Sequence, residues 1–334
     1  MVIATYNRPD ILKVAIESVM LQTFSDWKLL VIGDHCNIET ENAVTSFNNP
    51  RIQYINLPRN TGTQSGPNSV GIALTETEYI AFLNHDDVWL QDHLEHAIEV
   101  LEKSKRDFFV GKCGFTRRSF NPENLDSPIF FFVHPDNRTA DMSFDKDHLM
   151  FESASSWVIK TPHAKKIGYW KHPTEIQRPN LQNWVIRAWR KKTKFVFGEK
   201  ITVLFIPNWI PKPTQTLYSL NAACHVKILN LLTEKNPNRF REFISTSLEN
   251  TGEFLDMECK VLKDYPSIFR KILINGFTKW MCKNIGFDSY EIFYTLMGLK
   301  KGRTMNTVTM SRLGRLLPEK VDINWILNEL NLNY

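Results

Sequence analysis

The amino-acid sequence predicts an α/β fold, in which helices flank a mostly parallel sheet and a mainly helical region follows. Apolar runs of strand length alternate with amphipathic helical segments over residues 2–103. The connections between them are short, which favours parallel neighbours in one sheet. Polar side chains follow three of these strands, at the edge where ligands bind in such sheets.

Four strands and four helices are predicted in alternation over this first part of the chain. Each strand is a short apolar run, and the first helix places its apolar side chains at three- and four-residue spacing. Pro9 and Asp10 suit the start of that helix. The strands are predicted at residues 2–5, 29–32, 52–57 and 79–83, and the helices within residues 11–20, 39–47, 62–74 and 89–103.

The alternation changes beyond residue 105. Further strands are predicted at residues 108–110, 129–133, 157–159, 194–197 and 201–206, and a helix begins within residues 183–190. Pro207, Pro211 and Pro213 then interrupt the chain and indicate a boundary. We therefore predict an α/β domain over residues 1–210 and a helical region over residues 211–334.

The composition excludes several classes of protein. Hydrophobic residues make up 43% and charged residues 23%, which is typical of a globular chain. The net charge of +5 is modest and no dense basic stripe is present, so we expect no binding to nucleic acid. The five cysteines form no C-x-x-C pair, which favours reduced thiols in a cytoplasmic protein. No signal peptide and no run of about 18 apolar residues is visible, so no membrane span is expected.

Basic residues are concentrated late in the chain. Residues 258–320 contain twelve Lys or Arg and five Asp or Glu, interspersed with aromatic side chains. One interpretation is peripheral contact with an anionic surface on the inner face of the membrane. The other is a helical subdomain that packs its aromatics inward and exposes its lysines, and both interpretations stay open.

A polar tetrad, Asn84-His85-Asp86-Asp87, follows a predicted buried strand. Adjacent carboxylates at such a position are costly unless a cation or hydrogen-bond donors compensate them. Hard oxygen ligands suit Mg²⁺ or Mn²⁺, and such a cation stabilises the charge of a diphosphate leaving group. The alternative is that one of the two Asp residues only caps the helix that follows.

Two other predicted strands also end in polar residues, namely Thr5 to Asn7 and Gly33-Asp34. Carboxyl ends of parallel strands meet at one edge of a sheet. Three unrelated turns would have little reason to carry acids or amides there, so the convergence favours a shared ligand site.

The order and spacing of these landmarks resemble the family 2 glycosyltransferases of the GT-A fold, over roughly residues 1–210. Five motifs carry the resemblance, and the region beyond residue 210 is not covered. The motifs are Thr5-Tyr6-Asn7-Arg8, Val31-Ile32-Gly33-Asp34, Arg59-Asn60-Thr61-Gly62, Pro67-Asn68-Ser69-Val70-Gly71-Ile72-Ala73, and the stretch from Phe82 to Trp89.

The resemblance implies where a nucleotide would bind. Thr5 and Asn7 would lie beside it, and Asp34 would accept a hydrogen bond from the base, such as the N3–H of uracil. Asn84 stands at the first position of the family's D-x-D motif and would face the ribose, since an amide can still hydrogen-bond a hydroxyl.

The same motif implies the metal ligands. Asp86 occupies its last position and would bind Mn²⁺ or Mg²⁺. Asp87 would be a second ligand or would orient the first. His85 sits at the variable position between them, where an exposed linker residue is expected.

The sequence departs from the family at the catalytic base. An inverting transfer needs a carboxylate to accept the proton of the acceptor hydroxyl, and the family carries it at the start of a helix containing Trp and Arg. Asn183 stands at that place, and an amide is not a general base. Glu175 on a preceding loop is one candidate instead, Asp147 or Glu152 are others, and impaired transfer is a third explanation.

The implied reaction moves a sugar from a nucleoside-diphosphate donor, expected to be a UDP-sugar, to a hydroxyl of a glycan or lipid-linked glycan in polysaccharide biosynthesis. It would be a metal-assisted in-line displacement with inversion. One alternative is a catalytically impaired nucleotide-sugar-binding protein. Another is a sugar-phosphate nucleotidyltransferase, which would need a Gly-rich basic loop where only Arg8 is available.

Two histidines one helical turn apart, His93 and His96, lie outside any H-E-x-x-H motif. They are expected to be surface or capping residues rather than zinc ligands. No G-x-G-x-x-G motif is present between Gly62 and Gly71, so a dinucleotide site is not supported.

Overall fold

A nine-stranded mixed sheet forms the centre of the protein in a computed structural model. The structure describes residues 1–116, 130–133, 153–176, 180–206, 225–230, 232–233, 237–238, 241–242 and 319–331. The strands are β1 (Val2–Thr5), β2 (Leu29–Gly33), β3 (Ile52–Asn56), β4 (Tyr79–Asn84), β5 (Val88–Trp89), β6 (Phe108–Thr116), β7 (Phe130–Val133), β8 (Trp157–Lys160) and β9 (Phe195–Phe205).

The sheet has a parallel half and a mixed half, in the order β3-β2-β1-β4-β8-β6-β9-β5, with β7 paired to β6. Strands β3, β2, β1 and β4 run parallel to one another. Strand β8 is antiparallel to both β4 and β6, while β9 runs parallel to β6 and antiparallel to β5. The parallel half therefore brings the ends of β1, β2 and β4 to one edge, as predicted.

Seven helices with defined bounds flank the sheet, and the described residues 225–230 are also helical. The seven are α1 (Pro9–Met20), α2 (Ile38–Thr45), α3 (Ser65–Leu74), α4 (His93–Ser104), α5 (Thr161–Ile167), α6 (Asn180–Arg190) and α7 (Ile323–Glu329). Short 3-10 turns at Ala154–Ser156 and Pro173–Glu175 precede β8 and α6.

Two hydrophobic clusters show that helices cover both faces of the sheet. Consecutive residues of a strand point to opposite faces, and Val2 belongs to one cluster while Ile3 belongs to the other. Buried residues of α3, α5, α6 and α7 share the cluster of Val2, and those of α1 and α4 share that of Ile3. The predicted α/β fold with flanking helices is confirmed.

An aromatic group anchors α6 on the Val2 face. The rings of Trp157, Trp170 and Trp184 lie with centroids 5.6–6.0 Å apart, and Trp184 also donates through Nε1 to the Gly168 carbonyl at 2.7 Å. Burial of three large rings is worth several kcal/mol. The packing of these rings therefore contributes to fixing the position of α6, which begins at Asn180.

Several element boundaries differ from the prediction. Trp89 does not begin a helix. It lies in β5, where it pairs with Val203 of β9, and it is 1% exposed. Residues 195–205 form one strand where two were predicted, and α5 was not predicted at all. A two-residue strand such as β5 is too short to show a periodic pattern in the sequence. Its formation therefore depends on the burial of its side chains in the folded protein.

The described parts of the late region pack against the first domain. Ile228, Leu229 and Leu232 share a hydrophobic cluster with Val88 and Leu204. Ile326 of α7, which is fully buried, belongs to the Val2-face cluster, and α7 contacts α3. Residues 207–224 lie outside the described part, so the division at residue 210 stays a prediction.

The membrane interpretation is not tested by the structure. Most of the basic stretch over residues 258–320 lies outside the described residues. Within the residues that are described, helices long and apolar enough to cross a membrane are absent.

Candidate functional site

Three polar strand ends meet at one edge of the parallel half. Asp34, which follows β2, donates through its backbone N–H to the Thr5 carbonyl at 2.9 Å. On the other side of β1, Asn84 of β4 is in register with Ala4. The sequence therefore brings these predicted site residues together because β1 lies between β2 and β4.

Thr5 and Asn7 lie at the end of β1 and just beyond it. Thr5 is 3% exposed, and its hydroxyl has no hydrogen-bond partner among the described residues. Asn7 is exposed and adopts a positive φ of 47°, which Asn tolerates better than most residues. Its Oδ1 accepts from the Asn37 N–H at 2.9 Å and so joins the β1 turn to the start of α2. Their predicted place beside a nucleotide stays a prediction.

The carboxylate of Asp34 holds the loop that follows β3. Its Oδ1 accepts from the Thr61 N–H at 2.7 Å and the Thr61 hydroxyl at 2.8 Å, and its Oδ2 accepts from the Gly62 N–H at 3.0 Å. Burial raises the pKa of Asp34, and these hydrogen bonds partly offset the rise. Oδ2 accepts one bond only from the described residues, so it keeps capacity for a second donor such as a base N–H.

Gly62 gives this loop its shape. Its φ of 75° is a conformation that residues with a side chain rarely adopt. The motif Arg59-Asn60-Thr61-Gly62 is thus explained by a turn that folds back onto Asp34 rather than by direct ligand chemistry.

A dense hydrogen-bond network surrounds Asp87. Its Oδ2 accepts from Asn84 Nδ2 at 2.9 Å, from the Ser153 hydroxyl at 2.8 Å and from the Ser155 hydroxyl. Its Oδ1 lies 3.4 Å from the Ile206 N–H. Ser153 and Ser155 precede β8, and the sequence analysis missed both because their role depends on β8 pairing with β4.

Asp87 faces the protein interior. The residue is 0% exposed, and burial, together with the neighbouring charge of Asp86, raises the pKa of its carboxyl to about 7 against the opposing hydrogen bonds. Four protein donors around one carboxylate suit the orienting role that was one of its two predicted roles. Its role as a metal ligand stays a prediction.

Asp86 is half-buried and faces a different environment. Its backbone carbonyl lies 2.7 Å from Nε2 of His225, a residue that is itself 0% exposed. A carbonyl oxygen only accepts, so Nε2 carries the hydrogen. His225 was not singled out from the sequence, because it lies beyond the region that the resemblance covers.

His85 is not the exposed linker residue that the sequence analysis favoured. It is half-buried, and its Nδ1 is buried without a partner among the described residues. Burial lowers the pKa of His85, with Asp86, Arg8 and His225 as its charged or ionisable neighbours. The imidazole of His85, the second residue of the tetrad, is therefore expected to be neutral at neutral pH.

Among the candidate bases, the structure describes Glu175, whose hydrogen bonds go to residues outside the network of Asp87. Glu175 accepts from the His172 N–H at 3.0 Å and forms an ion pair with Lys320 at 2.9 Å. Partial burial raises the pKa of Glu175, but the bonds from Lys320 and His172 outweigh it and hold the pKa below its usual value. A carboxylate engaged in this way is a weak base. Asp147 and Glu152 lie outside the described residues.

Asn183 lies in α6, three residues after the helix begins. Its Oδ1 is buried without a hydrogen-bond partner among the described residues. Asn180, at the first position of the helix, donates through Nδ2 to the Ser65 hydroxyl at 2.8 Å. The helix start is thus joined to the start of α3.

His93 is not a surface or capping residue, whereas His96 is half-buried with its ring centroid 5.7 Å from that of Phe109. His93 is 0% exposed, stacks on Trp89 with a centroid distance of 4.5 Å, and lies 2.9 Å from the Thr202 hydroxyl through Nδ1. Burial lowers the pKa of His93 to about 3. Helical periodicity alone did not reveal that β9 and β5 would enclose this part of α4.

No cluster of three or more His, Cys, Asp or Glu side chains that could hold a metal ion is present in the described part of the chain. The described carboxylates of the tetrad would therefore supply only part of the ligands of a cation bound there. Such a partial set is usual for Mg²⁺, which is often held by one or two carboxylates together with substrate phosphates.

Comparison with known proteins assigns the chain to a family. The model described as "Glycosyl transferase family 2" matches residues 1–168 of the 334, which is just over half of the chain. The match covers β1 to α5 and so includes Thr5, Asp34 and the tetrad.

Two curated relatives align with part of the chain. The UDP-Glc:alpha-D-GlcNAc-diphosphoundecaprenol beta-1,3-glucosyltransferase WfgD of Escherichia coli is 29% identical over 138 residues, 41% of this chain and 51% of the relative. The poly(ribitol-phosphate) beta-N-acetylglucosaminyltransferase TarP of Staphylococcus aureus is 30% identical over 117 residues, 34% of this chain and 36% of the relative. The aligned part thus spans about half or less of these relatives.

A solved structure, S. aureus TarS 1-349 in complex with UDP, superposes with a TM-score of 0.48 at 15% identity. The superposition covers 84% of this chain and 77% of the other. At this TM-score the likeness carries no argument about the present chain.

Proposed function

Because the chain belongs to glycosyl transferase family 2, we propose that it transfers a sugar from a UDP-linked donor to a hydroxyl of a glycan or lipid-linked glycan. The observation that carries the proposal is the meeting of Thr5, Asp34 and the tetrad at one sheet edge. Ligands of open α/β sheets bind beyond the carboxyl ends of their strands.

The proposed donor lies across the three strand ends. The base is placed near Asp34, whose Oδ2 has room for one further donor. Thr5, with its unpartnered hydroxyl, and Asn7 lie beside the nucleotide. Asn84 and Asp86 face the ribose and diphosphate on the other side of β1.

The tetrad fits a divalent cation shared with the diphosphate. Asp86 offers a half-buried carboxylate at the edge, and among the described residues no group donates to the amide oxygen of Asn84. Both are hard oxygen ligands of the kind that Mg²⁺ and Mn²⁺ prefer. When bound, the cation would stabilise the negative charge that the leaving group acquires.

The proposed transfer is an in-line displacement with inversion. The acceptor oxygen attacks the anomeric carbon, its proton passes to a base, and the diphosphate leaves on the opposite side. Glu175 is the described candidate base, although its bonds to Lys320 and His172 must open first. Asn183 would position a ligand through its unpartnered Oδ1 rather than accept a proton.

A second function, donor binding without efficient transfer, is favoured by a specific observation. The helix position that implies a base carries the amide of Asn183, and the described alternative, Glu175, is held by an ion pair. The nucleotidyltransferase alternative has no comparable support, because no Gly-rich basic loop follows β1.

The acceptor class rests on the relatives. The E. coli relative is named for a sugar-diphosphoundecaprenol acceptor and the S. aureus relative for poly(ribitol-phosphate). We extend to this chain only their common feature, an acceptor on a lipid-linked or polymeric glycan. A cytoplasmic location, with peripheral membrane contact through the basic residues 258–320, would bring it to such acceptors.

Calorimetry with UDP in the presence of Mn²⁺ or EDTA tests donor binding. Asp86→Ala is expected to remove the metal-dependent part of the affinity. Asp10→Ala, which removes an exposed carboxylate from α1, serves as the matched control and should bind normally. Equal affinities for Asp86→Ala and wild type in Mn²⁺ would overturn the metal assignment.

Turnover separates the two proposed functions. Wild type is incubated with a panel of UDP-sugars and lipid-linked acceptors, and sugar transfer and donor hydrolysis are measured. Glu175→Gln is expected to lower turnover at least tenfold while UDP affinity is kept, which corresponds to about 1.4 kcal/mol. Normal UDP binding without any transfer or hydrolysis in wild type would establish the binding function instead.

A further inference from the structure

The side-chain amide of Asn84 is held in one orientation. Its Nδ2 donates to Asp87 Oδ2 at 2.9 Å and to the Ser153 hydroxyl at 3.1 Å. An amide nitrogen has two hydrogens, so both are used. The amide oxygen is left on the other side, and none of the described residues donates to it.

The directions of the neighbouring bonds support this orientation. The Ser155 hydroxyl accepts from the Asn84 backbone N–H at 3.0 Å, and the Ser153 hydroxyl accepts from the Ser155 N–H at 3.3 Å. Backbone N–H groups can only donate. Each hydroxyl therefore keeps its own hydrogen for Asp87 Oδ2, which accepts throughout the network.

We propose that Asp87 is a positioning residue that turns the oxygen of Asn84 toward the donor and its cation. This inference rests on the proposed function. Asp87 is 0% exposed and surrounded by protein donors, so it acts through Asn84 rather than by touching the ligand. The pair explains why an amide stands at position 84, since only an amide donates to Asp87 and offers an oxygen outward.

Three single substitutions change the pair in different ways. Asn84→Asp places two carboxylates at 2.9 Å, and like charges at that separation repel strongly. Asp87→Asn keeps an acceptor oxygen for the three donors on that side, so the orientation of Asn84 is kept. Asp87→Ala removes the acceptor, so the amide of Asn84 is free to turn its NH₂ outward. An outward NH₂ still hydrogen-bonds a ribose hydroxyl but is not a cation ligand.

The double substitution Asn84→Asp with Asp87→Asn restores one donor and one acceptor between the two positions. The test compares wild type, the three single variants and the double variant. Asn84→Asp combined with Asp34→Asn is the control, because it removes a buried carboxylate charge from the other network at the same edge.

Urea unfolding in EDTA measures the pair without any ligand. The single variants are all expected to unfold at lower urea than wild type. The double variant should unfold at higher urea than Asn84→Asp, because the repulsion between two carboxylates is gone. The control combination should show no such recovery. Additive losses in the double variant would overturn the pairing.

UDP binding measures the ligand-facing part. Asp87→Ala is expected to bind UDP in EDTA within about threefold of wild type but to lose most of the gain from Mn²⁺, roughly tenfold or more for one lost ligand. Asp87→Asn, which keeps an acceptor for Asn84, should keep that gain. An unchanged gain in Asp87→Ala would overturn the orienting role.

The two measurements also separate this inference from the proposed function. If wild type binds no UDP, the proposed donor site is wrong, and so is the claim that the oxygen of Asn84 faces the donor. The pairing of Asn84 with Asp87 is then upheld or overturned by the unfolding data alone.

Discussion

Asp34 and Asp87 are two buried carboxylates at the same sheet edge, but their donors come from different places. Asp34 accepts from Thr61 and Gly62, two consecutive residues of one loop. The donors to Asp87 belong to the end of β4, the turn before β8 and the residue after β9, namely Asn84, Ser153, Ser155 and Ile206. Asp34 therefore shapes a loop, whereas Asp87 joins three strands. The difference teaches that burial alone does not tell which carboxylate organises a site.

The largest difference in stability between the two networks is expected when each carboxylate is removed. Asp87→Ala leaves several buried donors without an acceptor, and we expect a loss of about 3–5 kcal/mol in the free energy of unfolding. Asp34→Ala leaves the donors of two consecutive loop residues without an acceptor, and one of these residues, Gly62, is only half-buried, so about 1–3 kcal/mol is expected. Urea denaturation of both variants measures the difference. An equal or larger loss for Asp34→Ala would contradict the comparison.

The pH dependence of stability also bears on the comparison. The buried carboxylates and a buried histidine both contribute to it, so the contribution of the histidine must be measured separately. The pKa of His93 is about 3 in the folded state and 6.5 in the reference state. Below pH 6.5 the unfolded chain binds a proton that the folded one refuses, so stability falls as pH drops from 6.5 toward 3.

We expect this histidine alone to cost about 2 kcal/mol at pH 5 relative to neutral pH. His93→Gln keeps a polar partner for Thr202 but does not titrate, so its stability should fall less steeply over this range. Thermal unfolding at pH 7, 6 and 5 measures the slopes. Parallel slopes in the two proteins would mean that His93 is protonated in the folded state.

Removing one hydroxyl from each network gives a smaller contrast. The Ser155 hydroxyl both accepts from Asn84 and donates to Asp87, so Ser155→Ala is expected to lose about 1–2 kcal/mol. Thr61→Val removes one of two bonds from Thr61 to Asp34 and keeps the side-chain volume, so about 0.5–1 kcal/mol is expected. Chemical denaturation measures which variant loses more stability. A larger loss for Thr61→Val than for Ser155→Ala would contradict the comparison.

The smallest effect is expected at the ion pair that lies next to the Asp34 loop. His172 contacts the Thr61 carbonyl through Nε2 at 3.2 Å, and Glu175 holds the His172 N–H. Lys320→Met removes the pairing of a partly exposed amine with Glu175, and we expect less than about 1 kcal/mol, further reduced by salt. A loss of several kcal/mol in 0.5 M salt would show that this pair supports the loop more than its exposure suggests.

Most strands of the parallel half could be read from the sequence, because Leu29 to Ile32 and Tyr79 to Leu83 are continuous apolar runs. The meeting of Asp34 with Asn84 followed from that order. The network of Asp87 could not be read, since Ser153 and Ser155 reach it only when β8 pairs with β4.

The histidines show the same limit. His93 and His85 look polar and exposed in a local reading, yet β5 and β9 enclose the first, and the ends of β1 and β4 partly bury the second. Local patterns carry periodicity and turn chemistry, whereas burial of single polar groups depends on contacts between segments far apart in the chain.

The packing of α7 on α3 bears on the order in which this chain folds during synthesis. Residues 65–74 leave the ribosome long before residues 323–329, and their contact is among the most distant in sequence. Until α7 emerges, the apolar surface that Ile326 and Leu327 will cover stays open to water or to other chains. The nascent domain is therefore expected to be a chaperone client whose need for protection ends with the synthesis of α7.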